Sequence, residues 1–330
     1  MILPVATYRI LYNAKDITRD ISGMVMSLEY IDKMTGESDE ISIIVEDRDE
    51  RWINSWYPKK GDSLQVSIYT NGRELNCGVF AIDETEATAA SDGGYTFTFK
   101  GLAAGIGKPM RTIKSYAHED KTLREIANTV ASNLGLTLNG SVDSITIHRV
   151  NQYRETDLAF LNRIGRDYGY VFSVRGGNLV FLYYKDMEAR QPSLVLSRNL
   201  LISYSFKDTT NKVYKSSSVN YHDPKTKSVI SYSGDATDGD YGEDVLSIHT
   251  RVENAQQAQA KGSYALHEKN SRGISCELSM PGNILFISGN NFQITDAGNY
   301  NGKYNIQEAH HSITRDGAYT CSGTGKRISK

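Results

Sequence analysis

Two stretches of this chain carry one pattern at fixed offsets, so the second is expected to fold as the first does. At one offset (27 to 203), Ser27, Tyr30, Asp32, Ser42 and Asp47 fall on Ser203, Phe206, Asp208, Ser218 and Asp223. At a second (78 to 302), Gly78, Phe80, Ile82, Glu84, Asp92, Gly93, Tyr95, Thr96 and Gly101 fall on Gly302, Tyr304, Ile306, Glu308, Asp316, Gly317, Tyr319, Thr320 and Gly325. Gly61, Leu64, Gln65 and Val66 likewise meet Gly289, Phe292, Gln293 and Ile294. Turn glycines and alternating apolar positions agree together, which argues for a duplicated unit over chance likeness of two strand patterns.

The repeated unit reads as antiparallel β. Apolar residues alternate at Tyr8, Ile10 and Tyr12, at Met24, Met26, Leu28 and Tyr30, and at Ile41, Ile43 and Val45, which is the period of a half-buried strand. More strands are expected at 64–69, 77–82 and 95–99, joined by the turn-forming Thr70-Asn71-Gly72 and Ser91-Asp92-Gly93-Gly94. A charged segment ends in Trp-Ile-Asn-Ser-Trp-Tyr before Pro58, and a short helix or turn there would tuck Trp52 and Trp56 against the sheet. Three glycines and a proline make 101–109 the expected linker. The second copy carries an expected insertion at about 224–288, made of a Gly/Asp-rich loop at 233–244, a helix within 252–270 and a strand at 274–278.

Between the copies the pattern changes to helix, strand, helix and hairpin. Thr122 and Glu125 form a capping-box pair, and Leu123, Ile126, Ala127, Val130 and Leu134 follow at helical spacing until Gly135. After a short alternating stretch at Ile145 and Ile147, a second helix begins near Thr156 and carries Leu158, Leu161, Ile164 and Tyr168 on one side until Gly169. Segments 170–174 and 179–184 then flank Arg175-Gly176-Gly177-Asn178 as a hairpin. The expected fold class is α+β, mainly antiparallel β. Two duplicated β-barrel-like domains, 1–109 and 199–330, flank a small α+β module at 110–198.

Charge and composition exclude several functions. With 37 basic against 39 acidic residues, the net charge of −2 offers no basic footprint for nucleic acid or an anionic membrane. Three widely spaced cysteines, Cys77, Cys276 and Cys321, indicate neither a disulfide framework nor a zinc cluster. No stretch approaches the ~20 apolar residues that span a bilayer, and the N-terminus lacks the pattern of a classical export signal. Tyrosine, at 21 residues, is frequent beside 9 Phe and 2 Trp, which suits half-exposed strands and wet contact surfaces.

Signatures of catalysis are missing. The phosphate loop, dinucleotide fingerprint, serine-hydrolase elbow and zincin helix have no match, so no catalytic, cofactor-binding or metal residue is assigned. His310 and His311 are neighbours on an expected strand, point to opposite faces and cannot chelate one ion together. Asp235, Asp238, Asp240, Glu243 and Asp244 crowd one loop, but their spacing is not that of an EF-hand, and a solvated acidic loop is favoured over a calcium site. Glu84 and Glu86 share a strand face as a pair of glycosidase acids would, yet a wet face carries such pairs routinely.

The order of these segments resembles a known family, the baseplate hub proteins of contractile-tailed phages, or late control protein D family. The likeness is carried by Lys121-Thr-Leu-Arg-Glu-Ile-Ala127 with Leu134-Gly-Leu136, by Asn151-Gln152 with Thr156-Asp-Leu-Ala-Phe-Leu-Asn-Arg163, and by Asp167-Tyr-Gly169. Gly302-Lys-Tyr-Asn-Ile306, His311-Ser-Ile and Asp316-Gly-Ala-Tyr319 extend it to the end of the chain. The N-terminal part of type VI secretion spike proteins is similar in build.

The resemblance implies a structural virion protein of the tail baseplate, synthesised and assembled in the host bacterial cytoplasm, with no enzymatic activity and no cofactor. It implies a homotrimer whose two β domains per subunit make a pseudo-sixfold ring between the tail tube protein and the central spike protein, in contact with other baseplate proteins. DNA would pass through without specific binding, and Glu84, Glu86 and Glu308 are candidates for the lumen wall. The 121–134 helix is also similar to short peptidoglycan-binding modules, so the alternative is a peptidoglycan-binding or cell-wall-degrading tail component.

Overall fold

The computed structural model describes residues 3–34, 38–90, 94–103, 112–175, 178–209, 213–224, 227–236 and 243–328. Outside them lie the expected turns at Ser91-Asp92-Gly93 and Gly176-Gly177, most of the expected linker at 101–109, and Asp238 and Asp240 of the acidic loop.

The first half forms β1 (Thr7–Tyr12), β2 (Lys15–Asp16), β3 (Val25–Lys33), β4 (Glu40–Glu46), β5 (Ser63–Thr70), β6 (Arg73–Ala90) and β7 (Gly94–Leu102). Their alternation places Leu28, Tyr30, Ile41, Ile43, Phe97 and Phe99 in the core. Residues 51–56 are turns, not helix. Trp52 is buried with its ring 5.4 Å from Phe99, and Trp56 stands edge-on to it at 5.6 Å.

The middle module contains β8 (Lys114–Thr122), the helix Leu123–Asn133, β9 (Thr137–Asn139), β10 (Thr146–Glu155), the helix Asp157–Tyr168, β11 (Tyr170–Arg175) and β12 (Asn178–Tyr183). The Thr122–Glu125 capping box forms, Thr156 caps the second helix, and Gly169 ends it in the left-handed region at φ 81°. The module has its own apolar core, in which Leu123, Ile126, Val130, Phe160, Leu161 and Phe181 meet.

The second half adds β13 (Leu194–Ser197), β14 (Ser203–Asp208), β15 (Ser216–Asp223), β16 (Ser228–Asp235), β17 (Val245–Ile248), β18 (Ile274–Pro281), β19 (Asn291–Thr295), β20 (Gly302–Thr314) and β21 (Tyr319–Arg327). Both halves enter one 13-stranded sheet, ordered β14-β18-β21-β20-β3-β4-β7-β6-β5-β1-β2, with β19 on β20 and β13 on β19. They meet where β20 pairs antiparallel with β3, from Glu308 opposite Lys33 to Thr314 opposite Ser27. One core runs beneath both. At the junction the Asp32 carboxylate accepts hydrogen bonds from the Ser288 amide and hydroxyl, each at 2.7 Å, and Arg315 donates to Glu46 at 2.8 Å.

Strand order and register recur on the two sides of this junction. In the first half Ile41 is opposite Gly101, Ile82 opposite Gly101, and Leu64 opposite Phe80. In the second, Cys276 is opposite Gly325, Ile306 opposite Gly325, and Phe292 opposite Tyr304. A register shift between Ile82 and Glu84 returns between Ile306 and Glu308.

This register corrects one part of the sequence reading. The first offset holds from β3 to β14, but Ser42 and Asp47 do not correspond to Ser218 and Asp223. The strand beside β14 is β18, expected as part of the insertion, whereas β15 joins β16 and β17 in a separate sheet. The interruption therefore lies between β14 and β18, and an ungapped offset ran past it because β15 alternates as β4 does. The intervening helix, Ala255–Asn270, packs on the middle module: Gln257 donates to the Thr146 carbonyl at 2.8 Å, and Arg166 pairs with Glu268 at 2.7 Å.

Candidate functional site

The site is a surface, built by the strand period. Each strand that turns apolar residues to the core turns the alternate ones away from it, and these are mostly hydroxyls and carboxylates. One cross-strand row runs Thr320, Ser312, Glu29, Ser42, Lys100, Glu84, and so crosses the junction between the halves. A second runs Ser205, Glu277, Thr324, Glu308, Lys33.

Glu84, Glu86 and Glu308 all stand on this wet face. Lys100 lies 2.9 Å from Glu84, and that hydrogen bond and charge hold the lysine above its ordinary pKa. Glu86 is exposed opposite Thr98, and Glu308 contacts His310. The Glu84 and Glu86 carboxylates are thus both solvated, and Glu84 is engaged by a lysine.

The histidine pair divides as the strand period requires. His310 lies on the wet face, whereas His311 is fully buried, with Nδ1 2.7 Å from the Tyr319 hydroxyl and its ring stacked on Tyr30 at 5.7 Å. Burial pushes its pKa down to about 4 and keeps it neutral. In the acidic loop Glu243 pairs with Lys215 at 3.1 Å. Among the described residues no three His, Cys, Asp or Glu side chains are grouped to hold a metal, and no helix is long and apolar enough to cross a membrane. The three cysteines are free and buried.

Two strand edges complete the surface. Residues 84–90 of β6 pair with β7 on one side, and β14 pairs with β18 on one side; neither has a strand on its other edge among the described residues. At both edges an apolar side chain on the core side is left half uncovered: Tyr204 on β14 itself, and Tyr95 on β7 opposite Ala89. Tyr204 is 48% exposed and Tyr95 is 54% exposed, whereas the residues at the matching register positions, Leu28 and Tyr319, are both 0%. The sequence pattern identified the wet face but not these edges, because pairing between distant strands leaves no local period.

A profile of the phage tail baseplate hub (GPD) family matches residues 61–317. Over 178 residues the chain is 30% identical to the probable baseplate hub protein of Escherichia phage P2; this is 53% of the chain and 44% of the phage protein, so the chain matches under half the length of that relative. In fold it is similar to the 43 kDa tail protein of prophage MuSo2 from Shewanella oneidensis, with a TM-score of 0.73 at 13% identity over 98% of both chains. It is also similar to the E. coli c3393 protein, a component of the type VI secretion system, with a TM-score of 0.57 at 13% identity over 93% of this chain and 74% of that one. At such identities these two structures speak to the fold alone, a mainly antiparallel β architecture with few helices. The profile match runs from the first half through the middle module to the last hairpin, and the chain belongs to the phage tail baseplate hub family, a family of virion structural proteins.

Proposed function

We propose that the chain is the ring-forming subunit of a tail hub. Its two halves are copies of one barrel-like unit and stand side by side as neighbouring sectors of the ring. Three chains then give six similar sectors around one axis, which lets a threefold object carry the central spike on one side and match a sixfold tail tube on the other. The β3–β20 ladder carries this reading: two units of like strand order and register are joined edge to edge in one sheet, and among the described residues two unlike edges, β14 and residues 84–90 of β6, have no further strand beside them. Head-to-tail contacts of that kind close into rings.

On this reading the β units of 1–109 and 199–330 form the ring, and 110–198, with the segment between β14 and β18, stands outside it. The wet face lines the lumen. Its hydroxyls, and carboxylates including Glu84, Glu86 and Glu308, repel a passing phosphate backbone and keep DNA from adhering. The partners are the tail tube protein, the spike and other baseplate proteins, and assembly takes place in the host cytoplasm. Sedimentation and negative-stain imaging at micromolar concentration test the ring. A threefold particle with a sixfold-looking rim is expected; a stable monomer that also fails to trimerise with a spike partner sinks the reading.

A further inference from the structure

The internal junction is a template for a second one. By register, residues 84–90 of β6 stand where 308–314 stand in β20, and β14 stands where β3 stands. The first pair of edges is open and the second is joined. Resting on the ring reading above, we propose that residues 84–90 of one chain pair antiparallel with β14 of its neighbour, a second copy of this chain, in the register of the β3–β20 ladder. That register sets Ala89 opposite Tyr204 and Ala87 opposite Phe206 on the core side, and Glu86 opposite Lys207 on the wet side.

Three observations converge on this pairing. The two strands leave their loops with the same geometry: Gly61 donates to the Ile82 carbonyl and Ile82 to that of Asp62, as Gly289 donates to Ile306 and Ile306 to Asn290. Side-chain volumes are complementary as well. The joined ladder sets buried Ile313 against Leu28 and His311 against Tyr30, whereas the open edges place an alanine opposite each aromatic ring and so leave room for it. Burial of Tyr204 and Tyr95, each about half exposed, would bring them to the state of their counterparts. Finally, a carboxylate and an ammonium directly opposite on one sheet face attract, while a register slip of one residue would turn the aromatic rings to water.

Paired cysteines test the register. Cα atoms of directly opposed residues lie within disulfide reach, and diagonal ones do not. Under mild oxidation, Ala89→Cys/Tyr204→Cys is expected to give covalent dimers and closed trimers, and the diagonal control Ala89→Cys/Phe206→Cys to lose them; the native cysteines are buried. Glu86→Lys should lower the trimer fraction severalfold, and Lys207→Glu in the same chain should restore it. A trimer by light scattering that links only through the control pair, or through neither, overturns this pairing and leaves the ring standing. A monomer both alone and with purified spike and tube proteins overturns the ring itself.

Discussion

Leu161→Ala probes whether the middle module folds on its own core. Leu161 is 0% exposed on the helix Asp157–Tyr168, among Leu123, Ile126, Phe160, Ile164 and Phe181. Truncating a leucine in such a site costs about 2–5 kcal/mol, depending on how far the neighbours collapse. Stacked rings resist collapse here, since Tyr170 and Phe181 lie 5.0 Å apart and His118 and Phe160 5.1 Å apart. With a loss of about 3 kcal/mol, a unit of this size should melt roughly 12–24 °C lower. The core around Leu161 is separate from the core of the large sheet, so calorimetry should show one transition moving while the other stays. Hydrogen exchange should rise in the helix Ala255–Asn270 too, because Gln257 and Glu268 tie it to the module. An unchanged melt would show that Leu161 is not core, and a single transition moving as a whole would show that the module is not a separate cooperative unit.

Acid should weaken the sheet through His311. Its folded pKa lies near 4, below the ordinary 6.5, so the unfolded chain takes up the proton first as pH falls. The stability it supplies is full above pH 6.5, is lost as pH falls toward about 4 and changes no further below that, on the order of 3 kcal/mol in all. Urea denaturation at the two ends of this window should show a smaller loss in His311→Gln than in the parent chain; equal losses would refute the assignment. Against the cell-wall alternative, the purified protein should neither sediment with peptidoglycan nor release soluble fragments from it, and turnover that disappears in Glu84→Ala or Glu86→Ala would defeat the structural reading.

Where burial follows the chain's own period, sequence and structure agree. Leu28, Tyr30, Ile41 and Ile43 alternate and are buried, and Thr122, Glu125, Thr156 and Gly169 mark helix ends where they occur. β8 was not legible, since Lys-Ser-Tyr-Ala-His-Glu-Asp-Lys-Thr pairs only with β10 and turns mostly polar side chains to water. β18 was legible as a strand, but its place beside β14 was not, because a long interruption separates the two while β15 follows at once. The parity that sets Glu84, Glu86 and Glu308 on a wet face could be read from alternation. The junction itself could not, although a trace of it was present: Ala309, His311 and Ile313 are larger or more apolar than Thr85, Ala87 and Ala89 at the matching positions.

On the proposed pairing, that difference follows from when each seam forms. The β3–β20 seam closes as the chain folds, so it can bury a neutral histidine against a tyrosine hydroxyl and leave no trace on the surface. The proposed seam between chains would have to remain soluble until a neighbour arrives. Long apolar side chains on both of its open edges would make each lone chain a template for indiscriminate strand pairing. Alanines on one edge, two aromatic rings on the other and charges of opposite sign on the wet side give a surface that is weakly adhesive to itself in any other register. On the proposed ring, the two halves thus diverge at the positions where one seam is permanent and the other would have to wait for assembly.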